Sequence, residues 1–296
     1  MAVGGWAVLA IGPTGFCPFL KCSVVEVRLL RLGADLLASA SLAPSALMLQ
    51  LAFSNDLMDP YVMGVQSGAM SVLAAGLLML GIASLGTPEG YLFSILGSIL
   101  PPLIVVNVSK SKEEALLVGL ALALGLQGLA SILAYIASAS LGLPMLPMLL
   151  GSTSYVSSDA LVTGLISVLT LLLLSLPLFK TIYIMEYGEE VATSFGLNYI
   201  NLLRLSILVS SMLAAISVSL CGILPFLGLI GANVGKRVAK YGSYEQLLAS
   251  IAVSFIVISL ADIISNSVET PFGFIPVGTL LSLIGGLALA TILAKR

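Results

Sequence analysis

The sequence predicts an all-α membrane protein, a polytopic bundle of about ten transmembrane helices in one domain covering residues 1–296. Three observations predict it. Apolar residues make up 59% of the 296 positions. Charged residues make up only 9%, against about 25% in an average soluble domain. Apolar stretches near the roughly 20 residues that one helical crossing needs recur along the whole chain.

Helices are favoured over a β-barrel by the length of these stretches. Backbone inside a bilayer must satisfy its own hydrogen bonds, which leaves only helices or a closed barrel. The stretches here are too long and too rich in Leu and Ala for the alternating strands of about ten residues that build barrels. The predicted spans are residues 26–53, 61–85, 91–109, 114–139, 158–179, 199–220, 222–235, 245–267 and 275–294.

The first twenty residues are apolar but are interrupted by Pro13, Gly15 and Pro18. They have neither the basic start nor the small-residue cleavage site of a signal peptide. We expect a weak or shortened first crossing there, and nine helices if that crossing is absent.

Charge and composition exclude several classes of function. The net charge is −2, so the chain lacks the basic surface of a nucleic-acid-binding protein. It has no histidine, which excludes an imidazole-built zinc or haem site and a Ser/His/Asp or Cys/His catalytic set. Residues 231–236 resemble a phosphate-binding loop only superficially, since one residue is missing between the glycines. We expect a chain that is not an enzyme and binds no cofactor of its own.

Lysine and arginine predict the orientation, because cytoplasmic connections are enriched in them. With the C-terminus in the cytoplasm of a plasma-membrane protein, Lys21, Arg28 and Arg31 lie outside and all other basic residues lie inside. The inner residues are Lys110, Lys112, Lys180, Arg204, Lys236, Arg237, Lys240, Lys295 and Arg296.

The most informative connection is residues 186–198, between two apolar spans. Acidic residues at its start and Gly196 near its end predict a short amphipathic helix. The spacing alone leaves two interpretations open, a solvated connector or a docking helix for a soluble partner.

Four motifs, at residues 55–69, 188–196, 222–229 and 260–278, occur in the same order as those of a known family of membrane proteins. They resemble the motifs of the FecCD family, the permease subunits of ABC importers for iron–siderophores, haem and vitamin B12. Residues 188–196 resemble its coupling segment G-E-x-A…L-G. Residues 55–69 resemble N-P-L-A-D-P…G…S-G-A, and residues 222–229 resemble G-x-I-G-F-V-G-L. Residues 260–278 resemble L-A-D…I-P-V-G. The resemblance covers roughly residues 26–296.

The resemblance implies a homodimeric permease of a binding-protein-dependent importer that moves a metal chelate or corrinoid inward. A separate ABC ATPase dimer in the cytoplasm would hydrolyse the ATP, and an extracytoplasmic substrate-binding protein would deliver the cargo. The residues implied in ATPase coupling are Glu186, Gly188, Glu189, Glu190, Ala192, Phe195 and Gly196.

On the outer face the resemblance implies binding-protein docking by Arg28, Arg31 and Asn266. The alternatives are that the arginines anchor the membrane boundary, or that Arg31 pairs with Asp35 at i,i+4 spacing.

A cytoplasmic gate is implied at Ser111 and Lys112. The lysine could repel cationic cargo or be an ordinary solvated loop residue. For Asp262, close to a span, a structural hydrogen-bonding role is favoured over a role in transport.

An ion-gradient-driven secondary transporter without an ATPase partner is the alternative function. Inverted repeats and broken helices at the membrane midplane would favour it, and the sequence contains no convincing internal repeat.

Overall fold

The computed structural model describes residues 25–80, 86–141, 145–239, 242–270 and 273–294. The predicted first crossing, residues 1–20, lies outside these ranges. The described residues form eleven α-helices and one small β-hairpin, which confirms the all-α fold class. The helices are α1 Val25–Phe53, α2 Val65–Leu80, α3 Pro88–Val108, α4 Lys112–Leu141, α5 Leu146–Leu149, α6 Ser158–Met185, α7 Glu189–Ser194, α8 Tyr199–Cys221, α9 Leu227–Val238, α10 Ser243–Ser267 and α11 Val277–Ala294. The hairpin pairs β1 Glu269–Thr270 with β2 Gly273–Phe274 in antiparallel register.

Six of the described helices are long and apolar enough to cross a membrane, namely α1, α3, α4, α6, α8 and α10. Two shorter apolar helices, α2 and α11, correspond to the predicted spans 61–85 and 275–294. Thr87 and Ser157 cap the N-termini of α3 and α6 with their side-chain oxygens, which accept from backbone N–H groups in the first turn.

The predicted span 222–235 differs from the structure. The helix at this place, α9, has 12 residues and begins only at Leu227. At 1.5 Å per residue it is about 18 Å long, too short for a bilayer core of about 30 Å. Gly222, with φ 74°, and Phe226, with φ 59°, hold the preceding chain out of a helix.

The core is organised around α1, which packs against α6, α8, α9 and α10. Its small residues bring these neighbours close, as at Ala38 and Ala46, both fully buried. Ser45 of α1 and Ser210 of α8 are hydrogen-bonded through their hydroxyls at 2.8 Å. A polar contact between two buried helices fixes their relative position along the bundle.

Helices α2 and α3 approach each other closely at Gly68 and Gly97. A Cβ on either glycine would lie within 2.4 Å of the other's carbonyl oxygen. No residue with a side chain fits such a crossing, so the glycine of the Ser67-Gly68-Ala69 motif is explained by packing.

Two ends of the bundle are distinguished by their contacts along α1. At one end, called the Glu186 end, the residue after α1 (Ser54) contacts Met185, beside Glu186. At the other, called the Arg31 end, Arg31 contacts Asp262 of α10. Phe53 follows Arg31 by 22 positions in the same helix, which places these ends about 33 Å apart.

Candidate functional site

A short helix, α7, lies in the connection between α6 and α8 at the Glu186 end. Glu189 and Glu190 are in its first turn, where carboxylates interact favourably with the helix dipole. Only Ala192 of this helix is buried. The helix therefore rests on the bundle through one small side chain and exposes its acidic residues.

Aromatic side chains flank α7 and are also exposed. Phe195 is 68% exposed and Tyr187 is 65% exposed. The connection therefore presents a large aromatic side chain before α7 and another after it.

Two glycines set the turns on either side of α7. Gly188 has φ 102° and Gly196 has φ 77°, and a Cβ on either would meet nothing within 4 Å. Glycine is needed here for backbone conformation and not for space. The N–H groups of Gly196 and Leu197 donate to the carbonyls of Thr193 (2.9 Å) and Ala192 (3.2 Å), which closes the helix in a Schellman motif.

The segment is attached to the end of α1 on both sides of α7. The Ser54 hydroxyl donates to the carbonyl of Met185 at 2.7 Å. The Tyr199 hydroxyl donates to the carbonyl of Ala52 at 3.1 Å. The connection is therefore hydrogen-bonded to the end of the central helix both before and after α7.

An ion cluster lies beside the segment. The Lys236 ammonium, in the last turn of α9, pairs with Asp56 and lies 3.9 Å from the Glu186 carboxylate. An open cleft of about 500 Å³ adjoins these charges. It is lined by Asp56, Tyr183, Glu186, Tyr187, Asn233, Lys236, Arg237 and Gln246.

The cluster changes the acidity of Glu186, the residue at the C-terminus of α6. Burial raises the pKa of Glu186, the Lys236 ammonium opposes this increase, and the Asp56 carboxylate adds to it. The Lys236 ammonium therefore favours the charged form of Glu186.

Asp59, in the link between α1 and α2, is fully buried against the start of α9. One of its oxygens accepts the backbone N–H of Tyr61 at 2.9 Å. Burial raises the pKa of the Asp59 carboxyl to about 7, and the backbone N–H groups of Tyr61 and Leu229 oppose part of this increase. A carboxylate near the N-terminus of a helix also benefits from the helix dipole.

Ser111 and Lys112, the residues predicted as a gate, lie at the start of α4. The Ser111 hydroxyl accepts the N–H of Glu114 at 3.1 Å, and the Glu114 carboxylate accepts the N–H of Lys110 at 2.7 Å. Ser111 therefore acts as the N-cap of α4, and Glu114 additionally holds the residue before the cap, which stabilises the helix start. Both predicted gate residues are exposed, and their role in gating stays a prediction.

At the Arg31 end, the predicted docking residues Arg31 and Asn266 converge on one carboxylate. Asp262 pairs with the Arg31 guanidinium and accepts from the Thr153 hydroxyl at 3.1 Å. The Asn266 side chain donates to the carboxylate of Asp262 at 3.0 Å and to its carbonyl at 2.7 Å. Arg31 therefore pairs across the bundle with Asp262, and not with Asp35 as the i,i+4 alternative proposed.

All three predicted docking residues are buried within the single chain. The exposed fractions are 3% for Arg28, 5% for Arg31 and 4% for Asn266. Asp262 has the hydrogen-bonding surroundings that the sequence favours for it. Docking by these residues stays a prediction.

No cluster of three or more His, Cys, Asp or Glu side chains suited to a metal ion occurs among the residues that the structure describes. Cys221 is buried there as a free thiol. The described part of the chain therefore offers a surface and an ion cluster as its candidate site.

Comparison with protein families matches residues 11–295 to the family described as the FecCD transport family. The chain belongs to the FecCD transport family. This is a family of transport proteins, in agreement with the resemblance found in the four motifs. The family match begins at residue 11, closer to the N-terminus than the region covered by the motifs.

Individual relatives of the FecCD chain agree with this assignment. The chain is 30% identical over 273 residues to the "Probable heme-iron transport system permease protein IsdF" of Staphylococcus aureus strain Newman. The match covers 89% of this chain and 80% of the relative. The counterpart in strain USA300 matches to the same extent.

A solved structure has the same fold. It belongs to a transporter described as of metal-chelate ABC type, in an inward-facing conformation, with a TM-score of 0.82. The superposition covers 100% of this chain and 96% of the other, at 24% sequence identity. At this identity the similarity establishes the fold alone.

Sequence reasoning missed two residues of the site. The sequence places Lys236 among the inner basic residues and in the segment compared with a phosphate-binding loop, and it places Asp56 in a motif, but it does not predict that the two side chains pair. Their pairing joins positions 180 residues apart, for which spacing gives no signal. Thr153 was likewise not expected to contact Asp262.

Proposed function

We propose that this FecCD chain is the membrane permease subunit of a binding-protein-dependent ABC importer. The proposal depends on one observation, that an exposed acidic helix, α7, connects two spanning helices. This helix lies in residues 188–196, which resemble the family's coupling segment. A helix held by one buried alanine and flanked by exposed Tyr187 and Phe195 is suited to contact a soluble protein.

The soluble partner in this proposal is a cytoplasmic ABC ATPase dimer, which supplies the energy that this chain does not. The α7 helix and its flanking residues Glu186 and Gly188 dock on it. Closure of the ATPase dimer moves the coupling segment, and the hydrogen bonds from Ser54 and Tyr199 carry that movement to α1. ATP can shift the permease only by as much as its binding differs between the two permease states.

The orientation follows from this assignment. The Glu186 end faces the cytoplasm, the Arg31 end faces outward, and the C-terminus is cytoplasmic in the plasma membrane. The excess of lysine and arginine on the inner side supports it. A second copy of the chain completes the pathway, and Ser111 and Lys112 lie at its cytoplasmic gate.

The proposed cargo is a metal chelate, and haem is the first candidate because the Staphylococcus aureus relative is named for heme-iron transport. Iron–siderophores and corrinoids are the other candidates. The absence of histidine suits a pathway that releases a chelate without ligating its metal.

A substrate-binding protein docks at the Arg31 end in this proposal. Opposite charges at such a contact steer the encounter and fix its register. Since Arg31 is buried against Asp262, contact with an acidic side chain of the binding protein requires Arg31 to leave that pair. The Arg31 guanidinium therefore binds either Asp262 of α10 or the binding protein, but not both at once.

The test is co-purification of the tagged chain from native membranes in mild detergent, with mass spectrometry of what accompanies it. We expect an ABC ATPase with the native chain, and its loss with Phe195→Ala combined with Glu189→Arg. Tyr155→Ala is the matched control, because Tyr155 is 63% exposed at the opposite end of α6. Recovery of the chain alone, from several detergents and with an ATP analogue present, would favour the secondary transporter.

A further inference from the structure

Lys236 connects three parts of the chain that are distant in sequence. It projects from the last turn of α9, pairs with Asp56 in the link after α1, and lies 3.9 Å from Glu186 at the end of α6. Its side chain is 12% exposed, while those of Asp56 and Glu186 are 47% and 33% exposed. The ammonium is thus the most buried member of the cluster and lies between the two carboxylates.

Through its position on α9, Lys236 is connected to the helices that α9 contacts. Helix α9 packs against α10 and α1, and most of its residues are buried. Asn233, one turn before Lys236, donates to the carbonyl of Asp56 at 2.9 Å. The link after α1 is therefore fixed to α9 by a backbone contact and an ion pair together.

Glu186 is three residues before the first residue of α7. The Ser54 bond to Met185 restrains this part of the chain against α1, and the Lys236–Glu186 approach restrains it against α9.

We propose that Lys236 is a positioning residue that couples the ATPase-contacting segment to α9. When the segment moves, the attraction between Glu186 and Lys236 moves Lys236 and with it α9. The link after α1 moves with α9, because Asp56 is bound to Lys236 and Asn233. Without the ammonium, Glu186 and Asp56 repel each other and the segment moves independently of α9. This inference rests on the proposed function, since it assumes that the segment receives the movement of an ATPase.

A purely structural ion pair at this surface would have little effect, because partly exposed pairs contribute about 0–1 kcal/mol to stability. The test therefore measures movement and not stability. Spin labels on cysteines introduced at Thr193 and Val238, both exposed, report the distance between α7 and α9. Cys17 and Cys22 are changed to Ser, and Cys221 stays because it is buried.

The labelled chain is purified with its ATPase, and the distance is recorded by pulsed electron paramagnetic resonance before and after addition of ATP, Mg²⁺ and vanadate. With Lys236 present, we expect one α7–α9 distance in both conditions. In Lys236→Met, which keeps the apolar stem, we expect that distance to shift on addition of nucleotide. Lys180→Met, an exposed lysine on α6, is the matched control, and Lys236→Arg should restore the fixed distance.

Identical distances in native and Lys236→Met complexes, with and without nucleotide, would overturn the inference while leaving the proposed function intact. If Lys236→Met does not yield a folded complex, Lys236→Gln removes the charge but keeps a polar side chain facing both carboxylates, and it decides the question. Failure of the native chain to capture any ATPase contradicts the proposed function instead, before any distance is measured.

Discussion

The guanidinium of Arg31 donates to the carboxylate of Asp262 across 231 residues of sequence, joining α1 to α10 inside the bundle. Thr153 and Asn266 donate to the same carboxylate, so one acidic side chain organises three elements. A charge placed this deep requires its partner, because an unpaired buried charge is costly.

Removing one member of this pair should destabilise the protein strongly. We expect Arg31→Met to lower the free energy of unfolding by about 3–5 kcal/mol, because Asp262 is left buried without its cation. Thermal unfolding in detergent measures the effect. Arg204→Met, at an exposed arginine on α8, is the control and should change little. Equal unfolding temperatures for the two variants would contradict a stabilising role for the pair.

The same pair offers a second test, because replacing both charges should be milder than removing one. We expect the double variant Arg31→Met, Asp262→Asn to recover part of the stability lost in Arg31→Met, since position 262 then carries no charge that has lost its partner. If the two losses simply add, the side chains do not interact as the structure indicates.

Asp59 should make stability depend on pH. Its pKa is raised to about 7 in the folded protein, above the ordinary value of about 4 in the unfolded chain. The folded state therefore holds this proton more tightly, and its contribution to stability declines as pH rises from about 4 to about 7. Between pH 5 and pH 8 the loss is on the order of 2 kcal/mol.

Asp59→Asn is the variant that isolates this effect, because its amide oxygen can still accept the N–H of Tyr61 but cannot ionise. We expect thermal unfolding of Asp59→Asn to vary less between pH 5 and pH 8 than that of the native chain. The same pH profile in both proteins would show that Asp59 does not titrate in this range.

Alanine should lower the free energy of unfolding at Gly68, in the α2–α3 crossing, but not at Gly125, which lies outside the crossing. Gly68→Ala places a Cβ 2.4 Å from the carbonyl oxygen of Gly97, so the helices must separate at a cost of about 1–3 kcal/mol. Gly125→Ala, on α4, meets nothing within 4 Å. It should be neutral or stabilising in the separated chain, since alanine favours a helix by up to about 1 kcal/mol over glycine. Unfolding of the detergent-solubilised monomers compares them, and equal losses would contradict the crossing.

Much of the fold could be predicted from the sequence, because apolar length is a strong signal for spanning helices. The spans predicted at residues 26–53 and 158–179 correspond to helices at Val25–Phe53 and Ser158–Met185. The short helix α9 could not be distinguished from a spanning helix, because the residues that precede it in the sequence are apolar as well. What excludes a crossing is the positive φ of Gly222 and Phe226, which an apolar count does not register.

The candidate site could be predicted only in part. Residues near one another in the chain, such as those of α7 and Gly196, carry local signals of capping and turn geometry. Arg31 and Asp262, or Asp56 and Lys236, meet only after the helices have packed. For Arg31 the local spacing allowed a pair with Asp35 as one alternative, and in the packed bundle Arg31 pairs with Asp262 instead.

The measurement that tests the account most directly is native mass spectrometry of the complex purified through the tagged chain. We predict an assembly of two 30.5 kDa chains with two ATPase subunits. The Glu189→Arg, Phe195→Ala variant should retain the pair of chains and lose the ATPase, and Tyr155→Ala should retain both. A single chain without any ATPase, under conditions that preserve its native fold, would contradict the assignment as an ABC importer permease.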